Sequence, residues 1–295
     1  MAEIIQKDGT WTFDGETVRI VPGSDKGVSP LRRTLGELAV PLEALAGVSF
    51  EPGKKSGRLR LRLRNGADPL LQITGGGLAD GSDPYLLTVE PDRTGTAEYF
   101  VDAVRNALLL EQIPAGPADR YLLPGPALPL TVGAGDGTVA FDGEHIKLSW
   151  NWKTTESKAS GGPRTILIED VEAVEWLPSS GLESGYLRFT VTRSATTAPP
   201  KYDPHAVELW GFRKDPLMAL VAAAVVARLP HPYATGGAET APVLPPAQEG
   251  RDGEDGAPDH DALLRRLREL GELHRTGILT DDEFTAAKQA ILARL

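Results

Sequence analysis

Six cations crowd into residues 54–64: Lys54, Lys55, Arg58, Arg60, Arg62 and Arg64. The four arginines alternate with Leu59, Leu61 and Leu63. Successive side chains of an extended strand point to opposite faces, so the leucines are expected on a core face and the arginines in a row on the other. A guanidinium grips two oxygens of an oxyanion at once, so such a row suits the phosphates of anionic lipid or of a phosphorylated partner. The same residues also have a purely structural reading. Charge on an exposed strand blocks edge-to-edge pairing between chains, and it neutralises part of the surplus of carboxylates.

The remaining candidates for chemistry are weaker. The chain has no cysteine, which excludes disulfides, thiolate catalysis and cysteine-ligated zinc or iron–sulfur sites. His145, His205, His231, His260 and His274 lack the spacing of metal ligands and read as surface or turn residues. Asp281-Asp282-Glu283 reads as acid in the first turn of a helix, where it complements the dipole, rather than as a metal site. Gly75-Gly76-Gly77 lacks the Gly-Lys-Ser/Thr of a phosphate loop, and the glycines of Gly133–Gly137 miss the dinucleotide spacing. Trp150 and Trp152 share a strand face, packed on a core or marking a partner surface. No catalytic residue, cofactor or metal is expected.

The elements that hold these residues come from a duplication. Thr12-Phe13-Asp14-Gly15-Glu16 returns as Ala140-Phe141-Asp142-Gly143-Glu144, 128 positions on. Val48-Ser49-Phe50-Glu51-Pro52 returns as Val174-Glu175-Trp176-Leu177-Pro178, 126 on, and Gly57-Arg58-Leu59-Arg60 as Gly185-Tyr186-Leu187-Arg188, 128 on. Landmarks in one order at nearly one spacing mean two copies of a domain, over residues 8–112 and 136–230. Each Asp-Gly pair predicts a hairpin. Strands are expected near 38–51, 57–64, 69–74 and 84–90, then a helix over 96–112 whose apolar face carries Ala97, Phe100, Val101, Val104 and Leu108. Copy two predicts strands near 145–152, 164–177, 185–193 and 205–212 and a helix over 215–229, with an insert around Asn151 to Gly162. Five prolines make 113–135 an extended spacer. Residues 231–258 are acidic and rich in Pro and Gly, and are expected to be disordered. Residues 259–295 predict a helical hairpin, broken at Gly277 and re-started by the capping box Thr280 to Glu283.

Composition agrees with that count. With 295 residues, 41% of them hydrophobic, the chain can bury two ordinary cores and a small module. A net charge of −10 and a pI near 5.1 argue against nucleic-acid binding. Met1 to Lys7 has no basic stretch leading an apolar one, and the apolar run Leu217 to Leu229 contains Arg228 and is too short to span a bilayer. The cytoplasm is the expected compartment, with the inner membrane face as the alternative.

The paired Phe-Asp-Gly hairpins, the segment from Pro41 to Val48 and Gly57-Arg58-Leu59-Arg60-Leu61 resemble the actinobacterial family called domain of unknown function four-four-two-nine, of bacterial pleckstrin-homology-like type. Leu267, Leu270, Gly277-Ile278-Leu279-Thr280, Glu283-Phe284, Lys288 and Leu292 are similar to the SHOCT family of short C-terminal helical modules. The resemblance implies an α+β fold: two tandem pleckstrin-homology-like barrels or sheets, each closed by a capping helix, and a small C-terminal α-hairpin. It implies no catalytic activity. The expected function is a non-enzymatic scaffold that self-assembles as a homo-oligomer, or docks on a protein partner, through Leu267, Leu270, Gly277, Ile278, Leu279, Phe284 and Ile291. The alternative is a peripheral protein holding anionic headgroups with Lys54, Lys55, Arg58, Arg60, Arg62 and Arg64.

Overall fold

The computed structural model describes residues 1–234 except 115, 181–182, 193–195, 197 and 212–213. The expected linker beyond Ala234 and the hairpin over 259–295, with Leu267, Leu270, Gly277, Ile278, Leu279, Phe284 and Ile291, lie outside the described residues.

Copy one opens with a four-stranded antiparallel meander, β1 (Ala2–Gln6), β2 (Gly9–Phe13), β3 (Thr17–Pro22) and β4 (Leu38–Pro41). A second, three-stranded sheet follows: β5 (Leu45–Glu51), β6 (Gly57–Leu63) and β7 (Leu86–Val89). Helix α1 (Pro30–Leu35) connects β3 to β4, α2 (Pro69–Thr74) connects β6 to β7, and α3 (Thr94–Leu110) comes last. Copy two repeats the plan with β8 (Leu130–Ala134), β9 (Gly137–Phe141), β10 (His145–Trp150) and β11 (Arg164–Leu167), then β12 (Val171–Leu177), β13 (Gly185–Val191) and β14 (Ala206–Leu209). Here α4 (Glu156–Ala159) connects β10 to β11 and α5 (Met218–Val226) closes the copy. Among the described residues no sheet mixes strands of the two copies, and none closes into a barrel.

The repeat extends to details. Asp14 Oδ1 accepts the amides of Glu16 and Thr17 at 2.9 and 2.8 Å, and Asp142 Oδ1 accepts those of Glu144 and His145 at 2.9 and 2.7 Å. The next residue in each turn, Gly15 or Gly143, has φ near +115° (117° and 114°), which a side chain would strain. Both three-stranded sheets carry an irregular register near their start, between Leu45 and Gly47 and between Val171 and Ala173.

Three expectations need correction. Residues 69–74 are helix α2, not a strand: the Asp68 carboxylate caps the amides of Leu70 and Leu71, Pro69 occupies the first turn, and Gly75 ends it at φ 53°. Residues 113–135 are more than an extended spacer. They include β8, and Ala118, Leu122 and Leu123 donate amides to Asn65 O and Ala67 O, which seats Ala118 and Leu123 in the first core. Strands β1 and β8 each begin ahead of residues 8 and 136.

The copies pack on each other. Leu31 of α1 and Leu70 of α2 are buried in the core of copy two, where they join α5 and β12. After α5 the chain returns to copy one: His231 Nε2 donates to Gly66 O at 2.8 Å, and its ring meets Tyr121 edge-on at 4.5 Å.

Candidate functional site

Strand β6 places its side chains as the alternation requires. Leu59, Leu61 and Leu63 are buried in the core, and Arg58, Arg60, Arg62 and Arg64 stand on the other face. Lys54 and Lys55 are exposed in the turn between β5 and β6, beyond the Arg58 end. The four arginines share a side, but their electrostatic situations differ.

Arg58 Nη2 lies 2.7 Å from Asp80, and Arg60 lies 3.0 Å from Asp83 and 3.5 Å from Asp80. Arg64 holds three carbonyls, Gly116 O, Glu43 O and Pro117 O, at 2.8 to 3.1 Å, so it clasps the connection between the copies. Arg62 lies over Gly47 of β5, with no ion pair among the described residues. The surface available to an anion is therefore Arg62, Lys54 and Lys55, with Arg58 beside them if Asp80, half-exposed, lets go. A cleft of about 240 Å³ between β6 and α2 is lined by leucines and Tyr85 together with Arg60, Arg62 and Asp83. Beneath α2, burial raises the pKa of Asp68, against the opposing pull of the Tyr85 hydroxyl, which donates to it at 2.8 Å. Burial likewise raises that of Asp83, opposed by the Tyr85 amide and by Arg60.

Internal repetition separates structural charge from variable charge. Arg60 recurs as Arg188, whose guanidinium Nε sits 2.9 Å from Asp203, a fully buried carboxylate in the place of Asp83. Contact there is by proximity of charge rather than by an aligned hydrogen bond. Asp83-Pro84 and Asp203-Pro204 each turn the chain into the last strand, and each carboxylate accepts an amide two residues on, Tyr85 N or His205 N. The neighbours of Arg60 are not repeated: Tyr186, Thr190 and Thr192 replace Arg58, Arg62 and Arg64.

A second device, missed from the sequence, joins the two sheets of each copy. In copy one, buried Arg32 of α1 approaches Asp8 at 3.5 Å, and the amide of Thr88 donates to the same carboxylate at 3.2 Å. In copy two, Lys158 of α4 meets Asp136 at 2.8 Å with both side chains out of water, and Glu208 N donates to Asp136 at 2.8 Å. Lys158 also lies 4.5 Å above the Trp150 ring and donates to Pro200 O at 3.1 Å. The legible signal was the pair Asp8-Gly9 and Asp136-Gly137 at the repeat distance of 128.

The two tryptophans part company. Trp150 is half-buried and donates to Gly162 O at 3.0 Å, whereas Trp152 is 89% exposed. His145 lies near Asp142 in the hairpin, and burial lowers the pKa of His205. No helix among the described residues is long and apolar enough to cross a membrane.

Comparison with curated proteins gives no match. The tail matches the Short C-terminal domain (SHOCT) over residues 265–292. The model of the Domain of unknown function (DUF4429) matches twice, over residues 11–105 and 139–226, spans that together take in more than half of the chain and reach every strand of the two copies except β1 and β8. The chain therefore belongs to the DUF4429 family, with two tandem copies of its domain and a SHOCT module behind them.

Proposed function

We propose that the chain is a non-enzymatic, cytoplasmic scaffold in which two rigid frames of pleckstrin-homology-like plan hold a partner, while the C-terminal module joins copies of the chain. One observation carries this reading most. Charge pairs stand at corresponding places in the two copies and tie connections to the rest of the frame, Asp8 with Arg32 and Asp136 with Lys158, Arg60 with Asp83 and Arg188 with Asp203. These groups maintain a frame, and variation falls on the connections and outer faces, as in a binding module. Seven antiparallel strands in a four-plus-three arrangement with a helix last support the pleckstrin-homology-like comparison.

The tail adds a size argument. A module of about 40 residues or fewer rarely buries enough surface to fold alone without disulfides, metal or a partner. Its apolar positions Leu267, Leu270, Ile278, Leu279, Phe284 and Ile291 need covering, and the same residues of another chain would cover them. Deleting residues 258–295 should lower the mass measured by light scattering, and Phe284→Asp should do nearly the same. A full-length protein whose mass is unchanged by either would overturn the tail's role.

A second reading, contact with an anionic membrane, is favoured by Arg62, Lys54 and Lys55, each exposed and without an ion pair among the described residues. Each cation near such a surface contributes about 1 kcal/mol. Replacing these three with Ser should abolish co-sedimentation with phosphatidylglycerol vesicles at low salt. A wild-type protein that stays in solution beside such vesicles would end this reading.

A further inference from the structure

The two copies meet head to tail, and the arrangement leaves half of the same contact unused at each end. Within the chain, the connections of copy one act as the plug. The one from β3 to β4 supplies Leu31, the one from β6 to β7 supplies Leu70, and both side chains are buried in copy two. Just past α2, a side chain at Gly77 would begin 3.8 Å from the rings of Trp176 and Pro178. The socket is the ledge formed by β12 and α5, and Trp176 is only 8% exposed there.

The repeat puts Phe50 and Pro52 of copy one at the positions of Trp176 and Pro178, with α3 in the place of α5. Nothing in the described chain fills that second socket. It is a cleft of about 260 Å³ lined by Phe50, Pro52 and Val101, with Glu98, Asp102 and Arg105 around it. Glu98 and Asp102 are exposed, and Phe50 is left half-buried. At the opposite end, the connections of copy two that correspond to the plug carry Trp152, 89% exposed, and Tyr202, 52% exposed, flanked by exposed Lys153 and Lys201. Their bases are firmly tied. Lys158 anchors the first to buried Asp136 and to Pro200 O, and Thr155 Oγ1 donates to Lys201 O at 3.0 Å. Rigid aromatic side chains on a fixed base lose little freedom on docking, which is how strong interface anchors are built.

We propose that the Trp152 and Tyr202 connections of copy two dock in the Phe50, Pro52 and α3 cleft of a second copy of this chain, head to tail. A protein occupant is indicated because the corresponding connections of copy one already make a protein contact, and because lysines on one side face carboxylates on the other. Such a contact is heterologous, so each chain offers one plug and one socket and assembly extends or closes into a ring. It is distinct from self-association through residues 259–295.

The test uses full-length chains, each labelled with a donor or acceptor dye at one introduced cysteine, Asp119→Cys, since the native chain has none. Trp152→Ala leaves the socket intact, and Glu98→Lys with Asp102→Lys leaves the plug intact. Trp152→Ala mixed with itself should show association weakened about tenfold or more relative to wild type. The cross-mixture of the two variants should regain energy transfer, since one good plug then meets one good socket. Lys153→Glu with Lys201→Glu should likewise lose the contact when mixed with itself and regain it with the Glu98→Lys, Asp102→Lys chain. Energy transfer in the cross-mixture no higher than for Trp152→Ala with itself would overturn the proposal. A contact through the tail alone would give the same signal in every mixture, so the two readings fail separately.

Discussion

Helices α3 and α5 hold the same place in their two copies, yet one has a wet face and the other has none. In α3 one stripe, Ala97, Phe100, Val101 and Val104, faces the sheets, while Tyr99, Leu109 and Leu110 are 61%, 77% and 81% exposed. In α5 every residue from Met218 to Val225 is buried, because α2 of copy one covers the side turned away from its own sheet. The difference follows from position. A duplicated domain that becomes the inner partner of a contact loses the need for a polar face, so an apolar circumference marks the buried member.

If α2 covers α5 and the frames are locked by buried charge, the two copies should differ in how much a lock is worth. The largest effect is expected for Asp136→Ala, which strands Lys158 without a partner in the dry interior of copy two and should cost about 3–5 kcal/mol in urea unfolding. The corresponding Asp8→Ala should cost only about 1 kcal/mol, since Asp8 is a quarter exposed and stands 3.5 Å from Arg32. Asp136→Leu with Lys158→Leu should recover most of the loss, because removing both charges removes the desolvation cost as well. Equal losses for Asp136→Ala and Asp8→Ala would show that the two locks are equivalent despite their different burial.

Leu70→Ala should come next, at about 2–4 kcal/mol, because it opens a cavity against α5. Limited proteolysis should then cut between the copies. Resistance equal to that of wild type would mean that the copies hold together without this contact. Along β6, Arg60→Ser should destabilise by about 1 kcal/mol by leaving the mostly buried Asp83 unpaired, while Arg58→Ser should fall within about 0.5 kcal/mol. Reversal of that order would put the structural role at Arg58.

The smallest effect concerns the hairpins. Amides of His145 and Glu144 hold the Asp142 carboxyl below its ordinary 3.8, and amides of Glu16 and Thr17 do the same for Asp14. A depressed carboxylate pKa contributes stability that is present above the ordinary value and is lost as pH falls through the folded one. Asp142→Asn keeps the acceptor but removes the titration, so its acid unfolding below pH 3.8 should be shallower than that of wild type. Identical acid limbs would show that the turn carboxylate does not couple to folding.

Much of this was legible where local chemistry decides. Asp-Gly pairs predict hairpins, Leu-Arg alternation predicts a half-buried strand, and the spacing from Ala97 to Val104 predicts α3. Residues 69–74 were misread because a short apolar run fits a strand and a buried helix equally well, and the deciding cues, Asp68-Pro69 before it and Gly75 after it, are flanking ones. The locks were hidden for another reason. Asp136 finds Lys158 and the amide of Glu208 across 22 and 72 residues of chain, a meeting that only tertiary packing arranges. The isolated position of Arg62 was equally unreadable, since its neighbours are occupied by Asp80, Asp83 and the carbonyl of Gly116 through loops that carry no period.

The all-apolar circumference of α5 also bears on how the chain is made. Synthesis runs from the N-terminus, and domains generally fold as units in that order. Copy one, with α2 in place, is complete before Met218 to Val226 leave the ribosome, so the greasiest helix of the frame emerges beside a cover that already exists. Exchanging the order of the two copies would send that helix out uncovered for the time needed to translate a whole domain, an interval in which collapse onto other nascent chains competes with folding.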